Sequence, residues 1–489
     1  MARLISKVLR PQVLAVALLV LFAVSAVPAA RAEFTLVTRT ADHGVGQGGT
    51  GLFLPTLEGD ASSWQAPGKH PWRAALETFT INVGVWAFDR YVLNDEFSHI
   101  SWSSWKKNFQ LGFGFDDDAF IMNLFGHPYQ GNLYFNAARS MGMNFWESTP
   151  YVLGGSLMWE LFMETTRPSI DDLIYTTFGG IYLGEFFYRM SSQVLDDSAA
   201  GGNRFWREFV GLILDPPRGV NRLLSGDAWR TSSANGQTHA LMTGNLSLGG
   251  AFFDENPDLA KAQSSVAAGL DFQYGDWCQC EKSYQPFDLI AFDGTIRYGK
   301  KLYFQLNTYA PLFAKQRENA KGQRFLFGLF QDYDYIKNEG LELGGVSLAG
   351  GVFTVLPLSA KSSFQAAVQV GSMIWGGSNN IYTHLGDRDY NYCFGPVLKL
   401  ESALDVQRLG RLSLRAAHYQ LFTAGGAASE ADKSHDMLTT FKAQVDVHLI
   451  SKTGLRFEYT AYFRHTHFNG HPDYSHYYYQ LQGDLVVGF

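Results

Sequence analysis

Two hydrophobic periods divide this chain. From Pro71 to about Trp229 apolar residues come in long blocks with few breakers, which predicts packed helices, and after a polar break at Thr231 to Gln237 the period changes to two. In Leu455-Arg456-Phe457-Glu458-Tyr459-Thr460-Ala461-Tyr462-Phe463-Arg464 the odd positions are all apolar and the even ones mostly charged or polar, so the strand has one dry face and one wet face. The alternation recurs in Phe441 to Leu449 and, less regularly, in Ile290 to Tyr298, Leu302 to Ala310 and Leu398 to Val406. Twelve candidate strands fit between Thr238 and Phe489, several of them as long as a tilted strand needs to cross a bilayer.

Capping residues place the helices. Pro71 suits a first helical turn and Trp72 to Val92 follows with few breakers. Thr149-Pro150 reads as an N-cap followed by proline at the first helical position, opening a helix to about Thr165. Ser169, followed by Ile170-Asp171-Asp172, caps another helix to about Ser192, and Leu111 to Phe115 reads as a short strand.

The two-period region is expected to be a transmembrane barrel rather than a soluble sandwich. In its last third, short connections (Gln407 to Gly410, Ser451 to Gly454) alternate with long polar ones (Gly376 to Asn391, Thr423 to Asp436, His465 to His476), the asymmetry of outer-membrane barrels. The final strand carries Tyr479, Leu481, Gly483, Leu485, Val487 and Phe489 on one face and Gln480, Gln482 and Asp484 on the other. It resembles the C-terminal signal recognised by the barrel-assembly machinery, which that resemblance implies as a partner during biogenesis. One connection pair breaks the parity: Gly299-Lys300 is tight and Trp277 to Gln285 is long, which points to a miscounted strand between Phe325 and Leu358 and to ten or fourteen strands as alternatives.

The N-terminus fits export. Arg3, Lys7 and Arg10 precede an apolar run from Val13 to Val27, and Ala30-Arg31-Ala32 has the small-x-small pattern of a cleavage site, so residues 1–32 are expected to be a signal peptide cut after Ala32. Residues 33–70 are glycine-rich and aperiodic, an arm or linker, followed by a helix-rich domain at 71–230 and the barrel at 238–489. Aromatic residues make up 15% and charged residues only 17% of the chain, well under the ~25% of soluble domains, which suits contact with outer-membrane lipids. The net charge of −7 argues against nucleic acid as a partner. Cys278, Cys280 and Cys393 are too few for a disulfide scaffold, and a lone C-x-C is a weak metal signal.

The helical half holds the densest polar groups among apolar ones: Gly126-His127-Pro128-x-x-Gly131-x-x-Tyr134-x-x-Ala137-Ala138-Arg139, Ser156-x-x-Trp159-Glu160-x-x-x-Glu164, Arg167-Pro168-Ser169-x-x-Asp172 and Gly184-Glu185. Asp215-Pro216-Pro217-Arg218-Gly219-Val220-Asn221-Arg222 precedes the strands. In order and spacing these resemble an uncharacterised bacterial family, the domain of unknown function three thousand nine hundred and forty-three, over roughly residues 70–228. The resemblance implies an envelope context and no catalytic residues.

Glu160 and Glu164 fall one helical turn apart, and in apolar surroundings they need partners, for which Arg139 and Arg167 are the candidates. With Asp172 and Glu185 these form an expected ion-pair network that fixes helix packing. The sharper alternative is a lipid hydrolase in which His127, Ser148 or Ser156, and Glu160 or Glu164 supply base, nucleophile and orienting group. No G-x-S-x-G elbow supports it. His465, His467, His471 and His476, with Asp473, form a second candidate, a zinc or copper site, against the plainer reading of an exposed polar loop. The predicted lumen carries both signs, at Arg297, Lys399, Glu401, Lys442, Asp446, Arg456, Glu458 and Arg464, and mixed charges pair across and fill a barrel of this size. The sequence therefore favours a non-enzymatic outer-membrane barrel, structural or passing a narrow solute, with the helical domain as plug or periplasmic cap. It identifies no cofactor.

Overall fold

In the barrel, every strand is bonded to its sequence neighbours and the last is bonded to the first. The computed structural model describes residues 68–231, 240–255, 262–277, 282–407, 409–450 and 452–489, in a helical unit and a barrel unit. The expected signal peptide and cleavage site, most of the expected glycine-rich arm, and Cys278 and Cys280 lie outside those residues.

The barrel strands are β1 (Met242–Asp254), β2 (Gln263–Tyr274), β3 (Ile290–Tyr298), β4 (Leu302–Glu318), β5 (Arg324–Lys337), β6 (Glu342–Ser359), β7 (Ser362–Asn379), β8 (Tyr390–Val406), β9 (Gly410–Gly425), β10 (Ser434–Ile450), β11 (Thr453–Phe468) and β12 (Tyr474–Gly488). All pairs are antiparallel, and β12 closes on β1 in the register Leu246↔Val487 to Asp254↔Tyr479. Twelve strands is the expected number, so no strand was miscounted between Phe325 and Leu358. The broken parity is a local feature. β3 stops pairing with β4 at Ala291↔Tyr309, and Ser283–Tyr284, inside the long connection, takes over against Lys315 and Ala314. Several strands also run further than their alternation predicts, and β11 and β12 shrink the expected loop at 465–476 to residues 469–473.

Alternation sorts the faces as a membrane barrel requires. Phe457 and Leu485 stand outward and exposed, while Arg456, Arg464, Gln482 and Asp484 are buried inside. Toward one end the interior holds an apolar layer that includes Phe253, Leu343, Met373, Cys393, Tyr419 and Tyr462. Near the other end Tyr284, Leu289, Leu326 and Phe330 pack with Trp277, Tyr309 and Phe353.

The helical unit comprises α1 (Pro71–Phe88), α2 (Trp102–Leu111), α3 (His127–Ser140), α4 (Phe145–Met158), α5 (Ile170–Ile174), α6 (Gly180–Val194), α7 (Gly201–Leu214) and α8 (Pro216–Ser225). No helix among the described residues is long and apolar enough to cross a membrane. Two expectations are corrected. α4 begins five residues before Pro150, at the Asn144 cap, whose side chain accepts from Glu147 N–H at 2.9 Å. Pro150 therefore sits inside the helix, and the Thr149 hydroxyl takes the Trp146 carbonyl at 2.9 Å that the missing N–H leaves open. Leu111 to Phe115 is not a strand, for only Gly114 makes a bridge, to Ser169.

Four single turns of π-helix interrupt the regular helices, at Asp89–Leu93, Met122–Gly126, Trp159–Met163 and Tyr175–Gly179. Such turns carry an extra residue and re-aim the side chains beside them. α3 and α6 cross where Gly131 meets Gly180, and Gly184 lies under the Phe135 ring. A methyl group at Gly131 would run into the Thr176 carbonyl oxygen and the Gly180 backbone. We expect Gly131→Ala to destabilise the helical unit by about 1–3 kcal/mol, the range for overpacking, read by denaturant unfolding followed through tryptophan fluorescence. An unchanged midpoint would show that the crossing yields freely.

Candidate functional site

Loop residues 112–118 carry the first part of the site and are sewn to the start of α5. Gly114 N–H donates to the Pro168 carbonyl and Ile170 N–H donates to the Gly114 carbonyl, both at 2.8 Å. The Arg167 guanidinium donates to the Gly112 and Phe113 carbonyls at 3.1 and 2.7 Å. It lies across Gly114, where any side chain would collide with it. These bonds set Asp116 and Asp118 beside Asp171 and Asp172. Ser169 caps α5 as the sequence predicts, accepting from Asp172 N–H at 3.2 Å.

Three of the π turns border this place. Met122–Gly126 leads directly into His127, Trp159–Met163 contains Glu160, and Tyr175–Gly179 follows the α5 turn that holds Asp171 and Asp172. His127 is buried, and its Nε2 faces Asp172 Oδ1 at 3.3 Å and Asp118 Oδ2 at 3.8 Å. Neither approach has hydrogen-bond geometry, so Nε2 and Asp172 Oδ1 are both buried without a hydrogen-bond partner. Asn123 Nδ2 donates to Asp116 Oδ1 at 3.0 Å and to Asp171 Oδ2 at 3.3 Å, holding those two carboxylates together. Ligand atoms of Asp116, Asp118 and His127 lie within 4.8 Å of one another, and so do those of Asp116, Asp171 and Asp172.

Electrostatics follow from burial. Burial opposes the charged imidazole of His127, but Asp118, Asp116 and Asp171 outweigh it and raise the pKa above the ordinary histidine value. Burial pushes the Asp172 carboxyl well up, and Asp116, Glu160, Asp171 and Asp118 add to it. Glu160 is raised well above the carboxylate range by burial and then by Glu164, and Glu164 is raised to about 7, mainly by burial. At both positions burial favours the neutral carboxyl.

They meet for a reason other than helical spacing. Glu160 is in the π turn and accepts from Ser169 N–H at 2.7 Å, while Glu164 lies beyond the helix end in extended backbone. Asn108 Nδ2 fixes that end by donating to the Glu164 carbonyl at 3.0 Å.

The structure does not give these glutamates their expected arginines. Arg167 is spent on backbone carbonyls, and Arg139 pairs with Glu185 through two bonds of 2.8 and 3.0 Å, with Arg189 joining Glu185 at 2.7 Å. Nor does it bring a serine to His127, whose contacts are carboxylates. The Ser148 hydroxyl donates to the Asn144 carbonyl at 2.9 Å, and the Ser156 hydroxyl is buried without a hydrogen-bond partner. A histidine and serine hydrolytic set is not assembled. The histidines near the chain's end do not converge either. His467 pairs with Asp473 at 2.8 Å, His471 with Asp432 at 2.7 Å, His465 with Ser475 at 2.7 Å, and His476 stacks on Tyr474. Sequence reasoning passed over Asp116, Asp118, Asp171 and Asn123. The available signal was the Asp116-Asp117-Asp118 run, in a charge-poor chain, nine residues before His127.

Inside the barrel, charges pair. Asp293 on β3 is bonded by Arg415 of β9 and, at 3.3 Å, by Lys442 of β10. β9 stands six places from β3 in the ring of twelve, on the opposite wall. Lys399 reaches Asp332 at 2.7 Å and Asp334 at 2.8 Å, Arg456 bonds Asp446 at 2.7 Å and Asp271 at 2.5 Å, and Arg464 bonds Asp436 at 3.0 Å. A cavity of about 10 Å³ beside Arg297 and Gln305 has room for one water.

Fold and site together define a closed twelve-stranded antiparallel barrel and a helical unit that carries a buried acid and histidine cluster. The family model described as "Domain of unknown function (DUF3943)" matches residues 112–217, a narrower span than the 70–228 of the sequence resemblance, and the entire cluster falls inside it. Among solved structures, the chain is similar to the NanC porin, with 9% identity, TM-score 0.29, and coverage of 50% of this chain and 98% of that one. It is also similar to an outer membrane channel from Pseudomonas putida F1, with 10% identity, TM-score 0.27, and coverage of 51% and 95%. A third is the anion-selective porin from Comamonas acidovorans, with 9% identity, TM-score 0.22, and coverage of 51% and 99%. No curated protein matches the chain.

The raised glutamate makes stability depend on pH. Between its ordinary 4.5 and about 7, Glu164 keeps in the fold a proton that the unfolded chain has released, so its stabilising contribution is present at low pH and is lost as pH rises through about 7. With a chelator present, raising the pH from about 5 to about 8 is expected to lower the unfolding midpoint of the helical unit, and Glu164→Gln to flatten part of that fall. A variant with the wild-type slope would remove Glu164 from the account.

Proposed function

We propose that the protein resides in the bacterial outer membrane and passes small polar solutes along a narrow, charge-lined path that cross-lumen ion pairs restrict. The observation that carries this reading is Asp293, held by Arg415 and Lys442 from across the barrel. A wide general porin keeps its lumen clear, whereas here the middle of the lumen is spanned by side chains of both signs. Charges of both signs also argue against simple selection by a ring of one sign. The apolar outer wall and its buried polar lining support the membrane setting. Separating one partner of such a pair leaves a charge with no counter-charge in a low-dielectric interior, so the pairs hold the barrel's shape as well as its bore.

The test is conductance in planar lipid bilayers. Wild-type protein is expected to show small conductance steps, and the double variant Arg415→Ala with Lys442→Ala to show steps several-fold larger. If neither protein conducts, the barrel is an anchor rather than a path.

A further inference from the structure

We propose that the cluster formed by Asp116, Asp118, His127, Asp171 and Asp172 is a binding site for a divalent transition-metal cation, with Asp116 as the shared ligand. The assignment is independent of solute passage through the barrel.

Geometry comes first. Two sets of three ligand atoms, one with an imidazole nitrogen and one entirely of carboxylate oxygens, each lie within 4.8 Å, and Asp116 belongs to both. Ligand atoms around a single cation are separated by distances of this order, given metal bonds of about 2.0–2.2 Å. A second observation does not depend on the acids being near one another. His127 Nε2 and Asp172 Oδ1, both on buried side chains, point at each other across 3.3 Å and form no hydrogen bond. Buried polar atoms left in that state are costly unless something else binds them. A cation between them satisfies both, replacing the imidazole proton and taking one lone pair from each atom.

The surroundings are those of a built site. Asn123 bridges Asp116 and Asp171, and Ser169 caps the turn that carries Asp171 and Asp172. Two π turns aim the ligands from either side, one leading into His127 and one following α5. Behind them Glu160 and Glu164 meet each other, the Ser169 N–H and the Thr166 hydroxyl, and no lysine or arginine among the described residues.

The donor set selects the metal class. Carboxylate oxygens suit Mg²⁺, Ca²⁺ and Mn²⁺, and imidazole suits Zn²⁺, Fe²⁺ and their neighbours, so a mixed set of oxygens and one nitrogen points to Mn²⁺, Fe²⁺ or Zn²⁺. Among these Mn²⁺ is the practical probe, since its free ion gives a six-line paramagnetic resonance signal that binding broadens away.

Full-length protein in detergent, treated with a chelator and dialysed, would be titrated with Mn²⁺. Micromolar binding is expected. Asp116→Asn is expected to weaken binding most, and His127→Ala and the near-isosteric Asp172→Asn to weaken it by ~10-fold or more. His467→Ala, which disturbs the separate histidine and aspartate pair at the barrel rim, should bind as wild type does. The proposal is overturned if wild-type protein leaves the Mn²⁺ signal unchanged at micromolar concentrations, or if Asp116→Asn and His127→Ala bind as tightly as wild type.

Discussion

A charge taken out of water must be met by another charge, by hydrogen bonds or by a proton, and this constraint organises both halves of the molecule. The barrel answers it with pairs. Lys399 sits between Asp332 and Asp334, Arg456 between Asp446 and Asp271, and Asp293 between Arg415 and Lys442. The helical unit uses pairs as well, as at Arg139, Glu185 and Arg189, but at Glu160 and Glu164 there is no such partner among the described residues and burial raises both carboxyls. The same chain thus spends its few charged residues in two different ways. A pair fixes structure, whereas a protonated carboxyl group keeps a site able to exchange its proton for something else.

Much of the barrel was legible in the sequence, because a strand with one face to lipid and one to a polar interior leaves a period-two record. Leu455 to Arg464 shows it most plainly, and of the inside residues named from that record Arg297, Lys399, Arg456 and Arg464 are buried, while Glu401, Lys442, Asp446 and Glu458 are half-buried. What period two cannot show is which charge meets which. Asp293 and Arg415 are distant in sequence, and only closure of the ring brings them together. The parity fault at Gly299 and Trp277 is visible in the sequence, but its cause, a short β3 and no missing strand, is visible only in the pairing.

The helical site was harder to read, for reasons visible at single residues. Thr149-Pro150 has the composition of a helix start, yet the threonine hydroxyl repairs the gap the proline makes and the helix runs through. Glu160 and Glu164 have helical spacing, yet they meet through a π turn and an extended residue. A π turn has no sequence period, so it displaces neighbouring side chains without warning. Asp116 and Asp118 lie in a loop whose position depends on two backbone hydrogen bonds to the start of α5, and no local pattern records such bonds.

The short β3 has a mechanical consequence. Beyond Tyr309, β4 is no longer held on that side by a continuous ladder but by the two-residue Ser283–Tyr284 segment and by single bonds from Gln316 N–H to the Lys282 carbonyl and from Phe287 N–H to the Pro311 carbonyl. Phe287 adopts a left-handed backbone conformation to make its bond, which is strained for a residue with a side chain. A groove lined by Tyr284, Phe313, Ala314 and Phe327 follows the same stretch. In a hydrocarbon environment a broken backbone bond finds no replacement in the solvent, so the resistance of a barrel wall is set by how many such bonds must part together. Along this stretch the described ladder is interrupted, so β4 is tied to its neighbour at separate points and not along a continuous row.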